Sequence, residues 1–245
     1  MKKYFLMLFA LLILSSAVFS DPPLSHRDIL DNYYKKYASI DDYQCRLMEW
    51  CYKGKNYEKR VINFYFKKPR NIRMDIVFGN KPFDSGSSGV FRGGGKVTGH
   101  KGGILSGVPL RVSKYDPLST TIRGTTFDQS DLQSIAERLE NHIRTNSSIK
   151  INIINGEEFE FTCISINPSD HEGISKDIIR LNRNTLLPSY CDRYEGDRIV
   201  QHTIWKYYIV NAGLPDELFT IKYEAETLEK HNIKTVNALP VEKEF

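Results

Sequence analysis

The residues in this chain that could do chemistry are scattered. Its six histidines stand at positions 26, 100, 142, 171, 202 and 231. A catalytic serine needs a histidine and a carboxylate beside it, and in G-x-S-x-G a sharp strand-to-helix turn that exposes it. No G-x-S-x-G occurs, and Ser87 and Ser88 fall in a flexible GSSG run. No H-E-x-x-H is present to hold zinc. His171 and Glu172, within PSDHEG, read as a charged loop, and Asp41 and Asp42 as the close of the first helical region. A hydrolytic site would have to be assembled from distant residues, and His100, His202 and Asp75 are the set to try.

GVFRGGGKVTGHKGG, residues 89–103, invites comparison with a phosphate-binding loop. That loop requires G-x-x-x-x-G-K-[ST] leading into a helix. Here Gly95-Lys96 is followed by Val97, the position five before Gly95 is Val90, and no long helical pattern follows. SGVFR (88–92), a Gly93-Gly94-Gly95 turn and KVTGHK (96–101) read as a hairpin instead. Neither a catalytic residue, a cofactor nor a metal is therefore assigned. Asn146-Ser147-Ser148 matches a glycosylation sequon.

The four cysteines, Cys45, Cys51, Cys163 and Cys191, form no C-x-x-C pair. Cys45 and Cys51 fall on one predicted strand, which separates them by roughly 20 Å, too far for a bond. They read as buried free thiols.

The chain begins MKKYFLMLFALLILSSAVFS. Two lysines, a short apolar run and small residues Val18 and Ser20 make residues 1–20 a secretory signal peptide cut after Ser20. No cysteine near the cut supports lipid attachment there. The 34 basic residues of the whole chain include Lys2 and Lys3, so the mature chain carries 32 against 30 acidic ones. That near-neutral balance, without a basic block, excludes nucleic acid as the natural partner.

The elements that must position any site follow from periodicity. Residues 24–38 read as a helix, with Ser25 and Asp28 as a capping box and Ile29, Leu30, Tyr33, Tyr34 and Tyr37 on one face. YQCRLMEWCY (43–52), a KGKN turn and YEKRVINFYFKK (57–68) read as a hairpin, and RMDIVF (73–78) as a third strand. Glycines 102–107 and Pro109 read as a flexible loop. DQSDLQSIAERLENHI (128–143) is a second amphipathic helix. Segments 150–154, 158–166, 177–182, 188–195 and 198–210 then form a meander. Nine or ten strands in one domain tend to curl, and the two helices must cover the open side. Residues 221–245 read as a polar, mobile tail.

The apolar positions of these strands are Ile62, Phe64, Phe66, Ile72, Met74, Ile76, Phe159, Phe161, Trp205 and Tyr207. They would pack against the helices or line a cavity for an apolar ligand such as an acyl chain.

FYFKKPRNIRMDI (64–76) resembles the apolar strand, basic residue, proline and third strand of the periplasmic lipoprotein carriers of the Lol type. DRYEGDRIVQHTIWKYYIVNAGLPDELF (192–219) resembles the long strand and N-x-G-L-P-D-x-x-F closing segment of the same superfamily. The Tyr43-Gln44-Cys45 start, the glycine-rich hairpin ending near His100 and LNRNTLLP (181–188) are similar to an uncharacterised bacterial branch of it. The resemblance spans about residues 25–220 and implies an α+β, mainly antiparallel fold: an unclosed half-barrel under lid helices. It implies a cavity that binds lipid or acylated protein, with Lys68, the basic residue before the proline, contacting the lid. Residues 79–126 are an insert relative to the plain carriers. The expectation is an exported, periplasmic or otherwise secreted monomer over residues 21–220. It is not an enzyme, and it touches a membrane transiently and envelope proteins as further partners. The alternative is a protein-interaction module of an envelope complex whose core is filled by its own side chains.

Overall fold

The computed structural model describes residues 25–224 and 227–236; the signal peptide read at 1–20 lies outside them. Helix α1, His26–Ala38, starts where Ser25 caps it, with the reciprocal Asp28 contact in place. Strands β1 (Asp42–Lys53), β2 (Asn56–Lys67) and β3 (Asn71–Gly79) follow, then β4 (Ser88–Phe91), β5 (Lys96–His100) and β6 (Leu110–Ser113). A single 3-10 turn over Phe127–Gln129 precedes α2, Leu132–Arg144. Strands β7 (Ser148–Ile154), β8 (Glu158–Ile164), β9 (Lys176–Asn182), β10 (Pro188–Glu195) and β11 (Arg198–Val210) complete the sheet, and a one-turn helix α3 spans Thr227–Lys230.

All eleven strands lie in one sheet, ordered β6-β5-β4-β3-β2-β1-β11-β10-β9-β8-β7. Every pairing is antiparallel, and β6 and β7 are the two edge strands, each paired on one side only among the described residues. The chain therefore forms the predicted unclosed half-barrel. The hairpin over the three glycines is present, and Gly93, Gly94 and Gly95 all take positive φ, which a side chain would oppose. The loop expected after it contains a further strand, β6. Four residues alternating exposed and half-buried at a sheet edge carry no apolar run to announce it.

β1 and β11 join the two halves of the chain, and the closing segment explains its own sequence. The Asp42 carboxylate accepts the backbone N–H groups of Ala212 (2.7 Å), Gly213 (3.1 Å) and Leu214 (3.1 Å). Asn211 donates to Ser39 O and accepts from Asp41 N. Asp42 is thus a buried anchor rather than a helix stop.

Alternate residues of each strand face opposite sides. Helices α1 and α2 cover one side through Ile29, Leu30, Tyr33, Leu132, Ile135, Ala136 and Leu139, which pack with Phe64, Phe66, Ile72 and Phe161. The other side carries Tyr65 and Val90, and the C-terminal segment covers it with Leu214, Leu218, Phe219, Leu228 and Val236. Of the residues read as a mobile tail, Leu228 and Val236 are buried against this side. Sheet side chains hold the segment's carbonyls: Gln44 donates to Lys234 O, Arg46 to Val236 O (both 2.7 Å) and Arg73 to Tyr223 O (2.6 Å). The segment has too few apolar residues to show a period, so only the partner surface reveals it. The four cysteines are free and buried.

Candidate functional site

The helix-covered face is built in rows set by strand register. Phe66, Ile72, Phe91, Val97 and Val112 form one row across β2 to β6. The next is Phe64, Met74, Gly89, Gly99 and Leu110. Two adjacent glycines stand in that second row, and both line a hollow of about 70 Å³. Ile62, Met74, Ile76, Val97, Leu110 and Phe127 supply its apolar lining. Phe127 roofs it: a Cβ on Gly89 would meet the ring at 2.6 Å. Glycine at 89 is therefore what lets the roof close on the sheet.

The same face turns ionic further along the strands. Glu49 stands opposite Arg60 and Thr203, and Cys51 opposite Glu58 and Gln201. Arg60, which lines the hollow, bonds Glu58 (2.9 Å) and Asp84 (3.3 Å). Burial pushes the Glu49 carboxyl up to about 7, against the pull of Arg60. The hollow thus has a greasy floor and a charged end wall.

Three of the ten apolar positions named from sequence, Ile62, Met74 and Ile76, line the hollow. Phe64, Phe66, Ile72, Phe159, Phe161 and Trp205 lie in the continuous core beneath the helices. Tyr207 is not brought to them: it is 40% exposed, with φ of 58°. Its alternation with Trp205 predicts an inward ring, but the β1–β11 register shifts between Gln44 and Arg46. One extra residue exchanges the faces, and Tyr208 packs against the core in its place. Val97, Leu110, Val112, Leu118 and Phe127 escaped the sequence reading. Only Val97 left a signal, the alternation of valine and glycine in KVTG, within an insert that carried no assigned role.

Polar contacts hold the cover down. Lys68 donates to Ala38 O at the end of α1 (2.7 Å), and its ammonium lies 5.5 Å from the Tyr37 ring. Two residues on, Arg70 reaches the start of α2, bonding the Asp131 carboxylate (3.0 Å) and Asp128 O (2.7 Å). Asp131 is also the N-cap of α2, and burial raises its pKa despite Arg70. Lys114 bonds Asp128 at 2.6 Å, so the 3-10 turn carrying Phe127 is tied to the insert as well. Inside the cover, Tyr33 donates to Leu132 O and Tyr43 accepts from Leu132 N.

At the other end of α2, His142 Nε2 lies 2.8 Å from Asp177 Oδ2, and Nδ1 lies 2.9 Å from Ser147 Oγ. Arg193 bonds the second Asp177 oxygen at 3.3 Å, and His171 stacks on His142 with centroids 4.1 Å apart. Serine, histidine and aspartate follow one another here as in a nucleophile triad. However, none of the three lines the hollow, and Ser147 N donates back to His142 O at the helix end. The group ties α2 to β9. The set drawn from the sequence does not assemble: Asp75 is held by Arg73 and Ser88, while His202 pairs with Asp192. Two strands separate β3 from β11, a gap of roughly 14 Å.

No known family profile and no curated protein matches the sequence. Among solved structures the chain is similar to an uncharacterized conserved protein from Thermus thermophilus, with TM-score 0.49 and 10% identity over 83% of this chain and 96% of that one. It is similar to a LolA superfamily protein from Nitrosomonas europaea, with TM-score 0.38 and 12% identity over 82% and 100%. A putative outer membrane lipoprotein-sorting protein domain from Vibrio parahaemolyticus gives TM-score 0.42 and 9% identity over 80% and 97%.

Proposed function

We propose that this is an exported, non-enzymatic carrier or sensor that takes an acyl chain, of a lipid or an acylated protein, beneath its helical cover. The observation that carries the reading is the hollow lined by Gly89 and Gly99 and roofed by Phe127, beside an apolar core whose covering helices are also tied by polar contacts.

The hollow is small, about 70 Å³, so a long chain enters by displacing the roof. Each methylene buried then contributes about 0.8 kcal/mol, and five or six together offset the loss of the roof's own contacts. The ten apolar positions named above form the site in its open state: Ile62, Phe64, Phe66, Ile72, Met74, Ile76, Phe159, Phe161 and Trp205 as the floor, and Tyr207 at the rim. Lys68 is the lid contact. Residues 1–20 are the export signal, and 21–220 the working domain, acting as a monomer in the periplasm or outside the cell.

Displacement of a fluorescent fatty acid tests the reading. The processed chain is expected to bind at micromolar concentration, and Leu110→Trp, which fills the hollow from the edge strand, to weaken binding about tenfold or more. No displacement by the unmodified chain, or equal binding by L110W, contradicts it. The small closed volume also favours a second reading, an envelope interaction module with a self-filled core. A chain that binds no fatty acid and co-purifies with no lipid by mass spectrometry would belong to that class.

A further inference from the structure

The insert carries an exposed apolar surface that the hollow does not use. Its 3-10 turn Gly103–Leu105 presents Ile104 at 87% exposure, with Val108 at 50% and Leu105 at 36% beside it. Phe83 lies against this loop: a Cβ on Gly103 would meet its ring at 3.5 Å, and Gly102 N donates to Phe83 O. Phe83 is 46% exposed and holds φ at 62°, a region a phenylalanine does not choose. Strained backbone that aims an aromatic ring at solvent marks a working surface rather than a packing one.

Charge decides the partner. Residues 85–115 contain Arg92, Lys96, Lys101, Arg111 and Lys114 and no acidic residue at all. Lys101 reaches Asp84 and Lys114 reaches Asp128, while Arg92, Lys96 and Arg111 are exposed and make no ion pair among the described residues. The near-neutral total conceals this lobe. Strand pairing places the apolar loop at one end of the lobe, Arg92, Lys96 and Lys114 at the other and Arg111 between them on the edge strand. Lying along its β6 edge, the lobe brings apolar side chains into the headgroup layer of an acidic bilayer and cations to its phosphates. Lys101, Leu110 and Leu118 of the same segment line the hollow, so docking would bring its mouth to the lipid.

We propose that the β4–β6 lobe docks on an anionic lipid surface, inserting Phe83, Ile104 and Val108. This goes beyond the acyl-chain reading and stands without it. Flotation of the processed chain with vesicles tests it. Vesicles of phosphatidylcholine with about one third phosphatidylglycerol should carry the chain, pure phosphatidylcholine should not, and binding should fall as salt rises. The double variant Ile104→Asp, Val108→Asp should lose about tenfold or more in partition while keeping its melting temperature, since both side chains are exposed. Phe83→Asn, which suits a positive φ, should lose part of the binding and gain stability. Flotation of the double variant at the unmodified level, equal binding to neutral vesicles, or no binding to acidic ones overturns the proposal. Fatty-acid displacement on the same variants should be unchanged, so failure of the hollow and failure of the docking lobe read out separately.

Discussion

Glu49 is the residue whose titration this fold alters most usefully. It is buried on the inner face of β1, where Gln201 donates to it at 2.9 Å, and burial raises its pKa to about 7. The unfolded carboxyl titrates near the ordinary ~4.3. The folded state therefore binds the proton more tightly, and stability falls as pH rises from the unfolded value through the folded one. The cost reaches about 3 kcal/mol above neutrality, as an order of magnitude. Glu49→Gln should accordingly raise the urea midpoint at about pH 8 and leave it little changed at about pH 4.5. An unchanged midpoint at the higher pH would show that Arg60 already compensates the charge. Glycine at 89 is the other decisive residue. Its missing side chain is visible in the sequence, but the ring of Phe127 that occupies the space lies on another element.

Among the elements, α2 is the one held by charge at both ends. Asp131 and Arg70 fix its start, and His142, Asp177 and Arg193 its finish. Burial alone would raise the Asp177 pKa, but the His142 hydrogen bond and the Arg193 and Arg138 charges outweigh it and hold the carboxyl below its usual range. Its contribution is present above the unfolded carboxylate pKa and is lost as pH falls through the depressed folded value. Asp177→Asn should therefore lower stability by about 3–5 kcal/mol near neutrality, with the gap to the unmodified chain closing in acid. Chemical denaturation at about pH 7 and about pH 3 reads this, and a gap independent of pH would rule it out. The helix itself was legible from its apolar spacing. Its start was not: Asp131 rather than Asp128 caps it, because the preceding residues are drawn into the 3-10 turn that aims Phe127 at the hollow.

At the scale of the molecule, one sheet separates two apolar clusters, and the outer one is completed by the C-terminal segment. Arg46, 2% exposed, bonds Val236 O, so removing that segment takes this acceptor from a buried cation. A chain ending at Thr220 should lose roughly 3–5 kcal/mol and expose Tyr65 and Val90. A melting temperature equal to that of the full chain would show that the outer cluster needs no cover.

Periodicity and turn chemistry determined the antiparallel meander, both amphipathic helices, the capping box at Ser25 and the glycine hairpin, since these depend on neighbours along the chain. Lys68 as a lid contact was an implication of the resemblance and not of any local pattern; in the structure its ammonium donates to Ala38 O. Contacts between distant segments required the tertiary structure. Register decided that Gly89 lies between Met74 and Gly99, an alignment across three strands that no local pattern encodes. A single bulge turned Tyr207 outward and Tyr208 inward, reversing an alternation that was sound up to that point. Folding likewise made the insert both a wall of the hollow and an exposed basic lobe, because strand pairing places Val97, Leu110 and Val112 inside and leaves Ile104 at a loop tip.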